Sequence, residues 1–347
     1  MSAEDTWIQS TDYQRQGYQC LIQGNYSKAV QFYEQAIETE PSLKSNYWHL
    51  GLSFLLQNQE AEAQMTWFLG MEGGTSEEIE LWTAELVQVL QKEAERRETQ
   101  ADYSLAWAIR QHIREISPNG INNILTIIQL SIQLETFTGE ELTSLGVMQL
   151  LNSEPKIDID TDLLLQVLKN VLDYASLEPL SLEFAEACIP HIQDSLAGLI
   201  VLLPAALKMA YAIRDNLGAI RLGELCLRLD PYNPEVLRHL AAFYQDIGDY
   251  AQGIETAKLC YSLVEGLPDK VFANHLIGRG VLAAGGYWDE ALSVFQKQDS
   301  LLLSLIESHP VNLDQARTLR LFCSTFHLPY LRDEPQKNRL LQNKIAQ

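Results

Sequence analysis

Apolar side chains recur at helical spacing along much of the chain, clearest in "NILTIIQLSIQL" and "TDLLLQVLKNVLDYA". Such spacing predicts amphipathic helices with one buried face. Gly and Pro punctuate the pattern sparsely, 19 and 12 among 347 residues, so long helices are favoured over strands and hairpins. One long helix is expected from Glu77 to Arg97, and Thr75 with Glu78 three residues on forms a capping box ahead of it. Between 120 and 200, Thr138-Gly139, Pro155 and Pro179 divide the apolar segments into irregular helical hairpins. The most apolar run, "LAGLIVLLPAALKMAYAI", carries Lys208 and Pro204. It reads as a buried helix started by Pro204 rather than as a membrane span. The expected fold class is all-α.

A repeat underlies the pattern. Tyr13 and Tyr47, Gly17 and Gly51, Ala29 and Ala63, Tyr33 and Trp67, and Ala36 and Gly70 are each 34 residues apart. The same interval separates Asp215 from Asp249, Ala219 from Gly253 and Cys226 from Cys260. Small residues at Gly17, Ala29 and Ala36 let two antiparallel helices approach closely, and Tyr33 or Trp67 fills the space toward the next hairpin. Gly24 suits the left-handed turn that ends a first helix, and Pro41 stops a second.

These residues resemble the tetratricopeptide repeat. Its pattern is met by Tyr13, Gly17, Gly24-Asn25-Tyr26, Ala29, Tyr33, Ala36 and Pro41, by Tyr244, Gly248-Asp249-Tyr250 and Gly253, and by Gly286, Trp288, Ala291 and Phe295. The resemblance implies a helical-hairpin solenoid, a right-handed superhelix with irregular helical repeats in the middle. Repeats are expected at 10-43 and 44-76, with a degenerate third extending to 119. Irregular hairpins follow over 120-200. A C-terminal region over 201-330 holds repeats at 201-233, 234-267 and 270-303. Residues 331-347 read as a connecting or capping helix, with Leu340, Leu341 and Ile345 as its apolar stripe. In this architecture the first helices line an inner groove. Candidate contacts are Gln14, Tyr18, Leu21, Trp48, Leu52, Leu55, Glu235, Arg238 and Gln245; for Trp48 and Leu52 the competing role is packing against the next first helix.

Composition and motifs narrow the chemistry. A formal net charge of -21 repels phosphate backbones and anionic headgroups, so neither nucleic acid nor a membrane is an expected partner. The five cysteines, Cys20, Cys188, Cys226, Cys260 and Cys323, are unpaired in spacing and read as buried thiols of a reducing, cytoplasmic compartment. Asp158, Asp160 and Asp162 begin like a calcium loop, but Leu163 and Lys169 stand where that loop needs Gly and Glu. Helix capping is the remaining role for those aspartates. His191, three residues after Cys188, has no second ligand pair. A hidden active site in the middle region would need converging charged groups between 120 and 200, where Leu and Ile dominate. No catalytic residue, metal or cofactor is expected.

A second resemblance covers nearly the whole chain. "NYWHLGLSFLLQNQEAEAQMTW", "DYSLAWAIRQHIREISP", "LETFTGEELTSLGV", "LEFAEACIPHI", "EVLRHLAAFYQDIGDYAQGIETAKLCYSL" and "TLRLFCSTFHLPYLRDEPQKNRLLQN" look like the N-terminal half of bacterial SPINDLY-like O-linked N-acetylglucosamine transferases, the cyanobacterial ones especially. That resemblance implies a substrate-gripping array serving a glycosyltransferase region that is not among these residues. The expected function is therefore non-catalytic protein binding, as the substrate-recognition half of such an enzyme. The alternative is a free-standing scaffold or assembly factor unrelated to glycosyl transfer.

Overall fold

In a computed structural model the chain is all-α; the structure describes residues 3–153, 158–174, 179–285 and 288–308. The candidate helix over 331-347, Cys323 and Gly286 lie outside the described residues. The chain divides into two units, residues 1–137 and 138–347.

The first unit consists of three helical hairpins and one further helix. α1 (Ala3–Ile22) pairs with α2 (Tyr26–Thr39), α3 (Lys44–Leu55) with α4 (Glu60–Met71), and α5 (Ser76–Thr99) with α6 (Tyr103–Ile116); α7 (Ile121–Gln133) packs on α6. Each hairpin turn places one residue in the left-handed region two positions ahead of the second helix: Gly24 at φ +77°, Asn58 at +60° and Ala101 at +58°. The hairpins close through small residues. A methyl on Gly17 would lie 3.0 Å from the Tyr33 ring, and one on Gly51 would overlap the Trp67 indole. Ala29, Tyr33, Ala36, Ala63 and Trp67 are all buried, whereas Pro41 is exposed just beyond α2. Leu86, Leu90, Ile109 and Ile113 extend this apolar core into the third hairpin.

α5 begins at the expected capping box: Thr75 Oγ1 accepts from the Glu78 amide, and Glu78 accepts from the Thr75 amide. At its far end a buried network forms. Arg97 Nε donates to Glu93 at 2.6 Å, and its guanidinium donates to the Tyr26 hydroxyl at 2.6 Å. Burying charges is costly unless each is paired, and here each finds a partner. The third hairpin is thereby tied to the first.

The second unit begins with short helices, α8 (Gly139–Ser144) and α9 (Val147–Leu151), followed by α10 (Thr161–Tyr174) and α11 (Pro179–Cys188). Asp160 caps α10, accepting from the amides of Asp162 and Leu163 at 3.1 Å each. Leu164, Val167, Leu168, Phe184 and Ala185 fill the interior here. Regular hairpins then resume: α12 (Ser195–Lys208) with α13 (Asn216–Leu229), α14 (Pro234–Asp246) with α15 (Tyr250–Leu263), and α16 (Leu267–Ala283) with α17 (Trp288–Ser308). Their turns repeat the device, with Arg214 at φ +70°, Gly248 at +88° and Gly285 at +71°. Tyr250 is half-buried at the start of α15, and Ala291 is buried in α17.

Three expectations need correction. Pro204 does not start a helix: Asp194 caps α12 by accepting from the Leu196 and Ala197 amides, and Pro204 lies inside the helix. Pro204 and Ile200 share its exposed side, so the carbonyl deprived of a partner is on the solvent side. A π-helical turn, Met209–Ile213, follows, and Ser195–Ile213 is by length and composition alone apolar enough to cross a membrane. Second, this hairpin opens at Ser195, ahead of the expected boundary at 201. Third, Cys20 is only half-buried, because it stands on α1 between exposed Gln19 and the core residue Leu21.

Candidate functional site

In the first unit the first helices of successive hairpins, α1, α3 and α5, lie side by side. Gln14 donates to Ser45 Oγ at 3.1 Å, linking α1 to α3. Tyr18, 51 % exposed, stands edge-on to His49 at 6.1 Å, and His49 stacks on Tyr33 at 5.4 Å. His49 Nδ1 lies 2.8 Å from the Ser45 carbonyl, so that nitrogen carries the hydrogen and donates it. Burial lowers the His49 pKa, the Ser45 carbonyl opposes this, and Lys92 lowers it further. The Tyr33 hydroxyl is buried without a hydrogen-bond partner, and burial raises its pKa.

A cavity of 420 Å³ continues this face between α3 and α5, with Lys44, Trp48, Trp82, Glu85 and Lys92 among its lining residues. Trp48 Nε1 donates to Glu85 at 3.3 Å, and the Lys44 ammonium sits 4.5 Å above the Trp82 ring. The face therefore joins an exposed phenol, the Trp82 indole and two lysines in a strongly acidic chain, with the Trp48 indole buried beneath. The expected contacts had omitted Lys44, Trp82, Glu85 and Lys92. Their signal was the spacing of Trp82, Glu85, Val89 and Lys92, one stripe along the long helix α5.

Trp48 and Leu52 are corrected as contacts: they are 0 % and 2 % exposed and belong to the core. Leu21 and Leu55 are buried with them. The reason is that one side of each first helix packs against its neighbours, leaving Gln14, Tyr18 and His49 nearer the surface.

In the second unit Glu235 is exposed and Arg238 half-buried at the start of α14. Arg238 lies 3.8 Å from Glu235 and 4.0 Å from Asp269, with its guanidinium over the Phe272 ring. A cavity of 560 Å³ opens there, lined by Glu235, Arg238, Cys260, Glu265 and Asp269 among others. Gln245 is the other correction: it is buried, donating to the Leu276 carbonyl at 2.8 Å and accepting from Arg279 at 2.7 Å. His239 stacks on Phe243, and burial lowers its pKa.

Three of the described thiols offer little nucleophilic chemistry. Burial pushes Cys226 up to about 12, Cys260 up to about 11 and Cys188 higher still, so each stays protonated near neutrality. Among the described residues no group of three or more His, Cys, Asp or Glu side chains could hold a metal ion. His191 instead contacts the Leu151 carbonyl at 2.7 Å.

The fold is that of an all-α helical-hairpin repeat protein of the tetratricopeptide kind, defined by its Gly17–Tyr33 and Gly51–Trp67 closures and its recurrent left-handed turns. No family model matches the chain. No curated protein matches it either. Among solved structures, the MamA protein is similar over 64 % of this chain and 94 % of its own, at 15 % identity and TM-score 0.29. The tetratricopeptide-repeat domain of P58(IPK) is similar over 94 % of this chain and 99 % of its own, at 16 % identity and TM-score 0.28. A tetratricopeptide repeat protein from Parabacteroides merdae is similar over 85 % and 93 %, at 13 % identity and TM-score 0.25. Those scores leave function to this chain's own residues.

Proposed function

We propose that this chain is a non-catalytic protein-binding module, acting in the cytoplasm as the substrate-recognition half of a SPINDLY-like protein O-GlcNAc transferase. The observation that carries the binding role is the α1–α3–α5 face. Exposed Tyr18 stands against His49 of α3, and the 420 Å³ cavity between α3 and α5 is lined by Trp82, Lys44 and Lys92, of which Lys92 makes no ion pair among the described residues. An exposed phenol and an indole beside two lysines suit an extended peptide bearing a carboxylate. The transferase connection rests on the sequence resemblance, which includes the irregular middle.

The test mixes the purified chain with the catalytic region of a SPINDLY-like transferase, a nucleotide sugar and a protein acceptor. Faster transfer is expected, with the gain lost in Tyr18→Ala and Lys92→Glu. Binding of acceptor without faster transfer would leave the scaffold reading standing and remove the transferase role. Turnover of the nucleotide sugar by this chain alone would overturn the non-catalytic assignment.

A further inference from the structure

α4 buries Ala63, Thr66, Trp67 and Gly70. Its opposite face carries Met65 at 60 %, Phe68 at 70 % and Leu69 at 48 % exposure. With Ala61 these residues form a continuous stripe at i, i+4, i+7 and i+8, about 12 Å long at 1.5 Å per residue. Helical periodicity puts Glu62 on one edge and Gln64 on the other, with Glu60 further round toward the buried side and Glu72 at the end of the stripe. Glu60 lies 4.0 Å from His112, while Glu62 and Glu72 have no ion-pair partner among the described residues.

The repeat supplies an internal control. Counting from the closing small residue in three other second helices, the positions of Met65 and Phe68 hold Gln31 and Glu34 in α2, Arg221 and Glu224 in α13, and Glu255 and Lys258 in α15. All six are exposed polar residues. Hairpin packing therefore does not require apolar side chains there, and in α4 they meet solvent instead of the core.

We infer that this face of α4 docks an amphipathic helix of a partner protein whose apolar stripe is edged by Lys or Arg. A straight apolar ridge seats another helix by ridge-into-groove packing. Glu62 along one edge and Glu72 at one end select cations, and the chain's net charge of -21 adds attraction at longer range. The same charge opposes a second copy of this chain or an anionic bilayer as occupant. The inference concerns the second-helix face and does not depend on the proposed α1–α3–α5 site.

The test uses the full chain and two fluorescent synthetic helices, one built of leucine and lysine and the other with glutamate replacing lysine, read by anisotropy. The basic helix is expected to bind and the acidic one not. The triple variant Met65→Gln, Phe68→Glu, Leu69→Gln writes the residues of α2 into α4. It should keep the parent melting temperature and weaken binding at least about tenfold. Glu62→Lys with Glu72→Lys should also weaken binding and flatten its salt dependence, whereas Tyr18→Ala should change nothing. Equal affinity for the acidic helix, or undiminished binding by the triple variant, would overturn the inference. A lowered melting temperature in the triple variant would overturn it too, by assigning these side chains to the fold. So would a dimer, or adhesion to phosphatidylglycerol vesicles, that the triple variant abolishes, since the face would then serve that other partner.

Discussion

At the scale of single residues, the fold depends on where a side chain is missing. Gly51 faces the Trp67 indole so closely that a methyl would overlap it, whereas at Gly17 the methyl would stop 3.0 Å from the Tyr33 ring. Gly51→Ala is expected to cost about 3 kcal/mol and Gly17→Ala about 1, within the usual range for overpacking. Denaturant melts of the two variants check the order. His49 adds a pH dependence. Burial holds its folded pKa below the unfolded 6.5, so the folded state disfavours the proton. Its contribution to stability is complete above pH 6.5 and is lost as pH falls through that value toward the folded pKa. His49→Gln should therefore flatten the fall in melting temperature between about pH 7 and pH 5. At this scale the repeat was largely legible, because Gly17, Ala29 and Tyr33 recur with a fixed period. The turns were legible only where glycine marks them, at Gly24 and Gly248. Asn58, Ala101 and Arg214 adopt the same left-handed conformation without that signal, since the helices on either side hold them there.

At the scale of helices, a buried charge cluster dominates the longest element of the first unit. Glu93 accepts from both Arg96 and Arg97, and Arg97 reaches the Tyr26 hydroxyl. Glu93→Gln would leave the buried Arg97 guanidinium with only the more distant Asp102 carboxylate at 3.6 Å, at a cost of about 3 kcal/mol. A thermal melt of that variant against the parent measures it. Helix starts were readable wherever a side chain caps them, as at Thr75 and Asp160. The start of α12 was missed because proline is a strong local signal, but here it falls on an exposed side where water can serve the orphaned carbonyl. The candidate groove was half legible. Repeat position identifies the first helices that line it, but it does not tell which side of each helix the neighbouring hairpin covers. Trp48, Leu52 and Gln245 were misassigned for that reason, and Lys92 was overlooked because α5 outruns the repeat.

At the scale of the whole chain, the two units meet the sequence pattern unequally. The first was expected to end near 119, but α7 packs on α6 and carries it to residue 137. Residues 1–137 produced alone should melt in one cooperative transition by circular dichroism, with α7 included in it. A fragment beginning after α2 should melt earlier and less sharply, because Arg97 loses Tyr26. This bond joins the first hairpin to the third, across the second. Ideal repeat arrays couple only adjacent units, and so they can gain or lose a repeat and close the gap. Removing or duplicating the α3–α4 hairpin here would move Tyr26 out of reach and leave the Arg97 guanidinium without that hydrogen bond, paired only with Glu93 and Asp102. The first three hairpins should thus tolerate a change in repeat number less readily than an ideal array would, a loss of melting temperature on deleting α3–α4 being the measure.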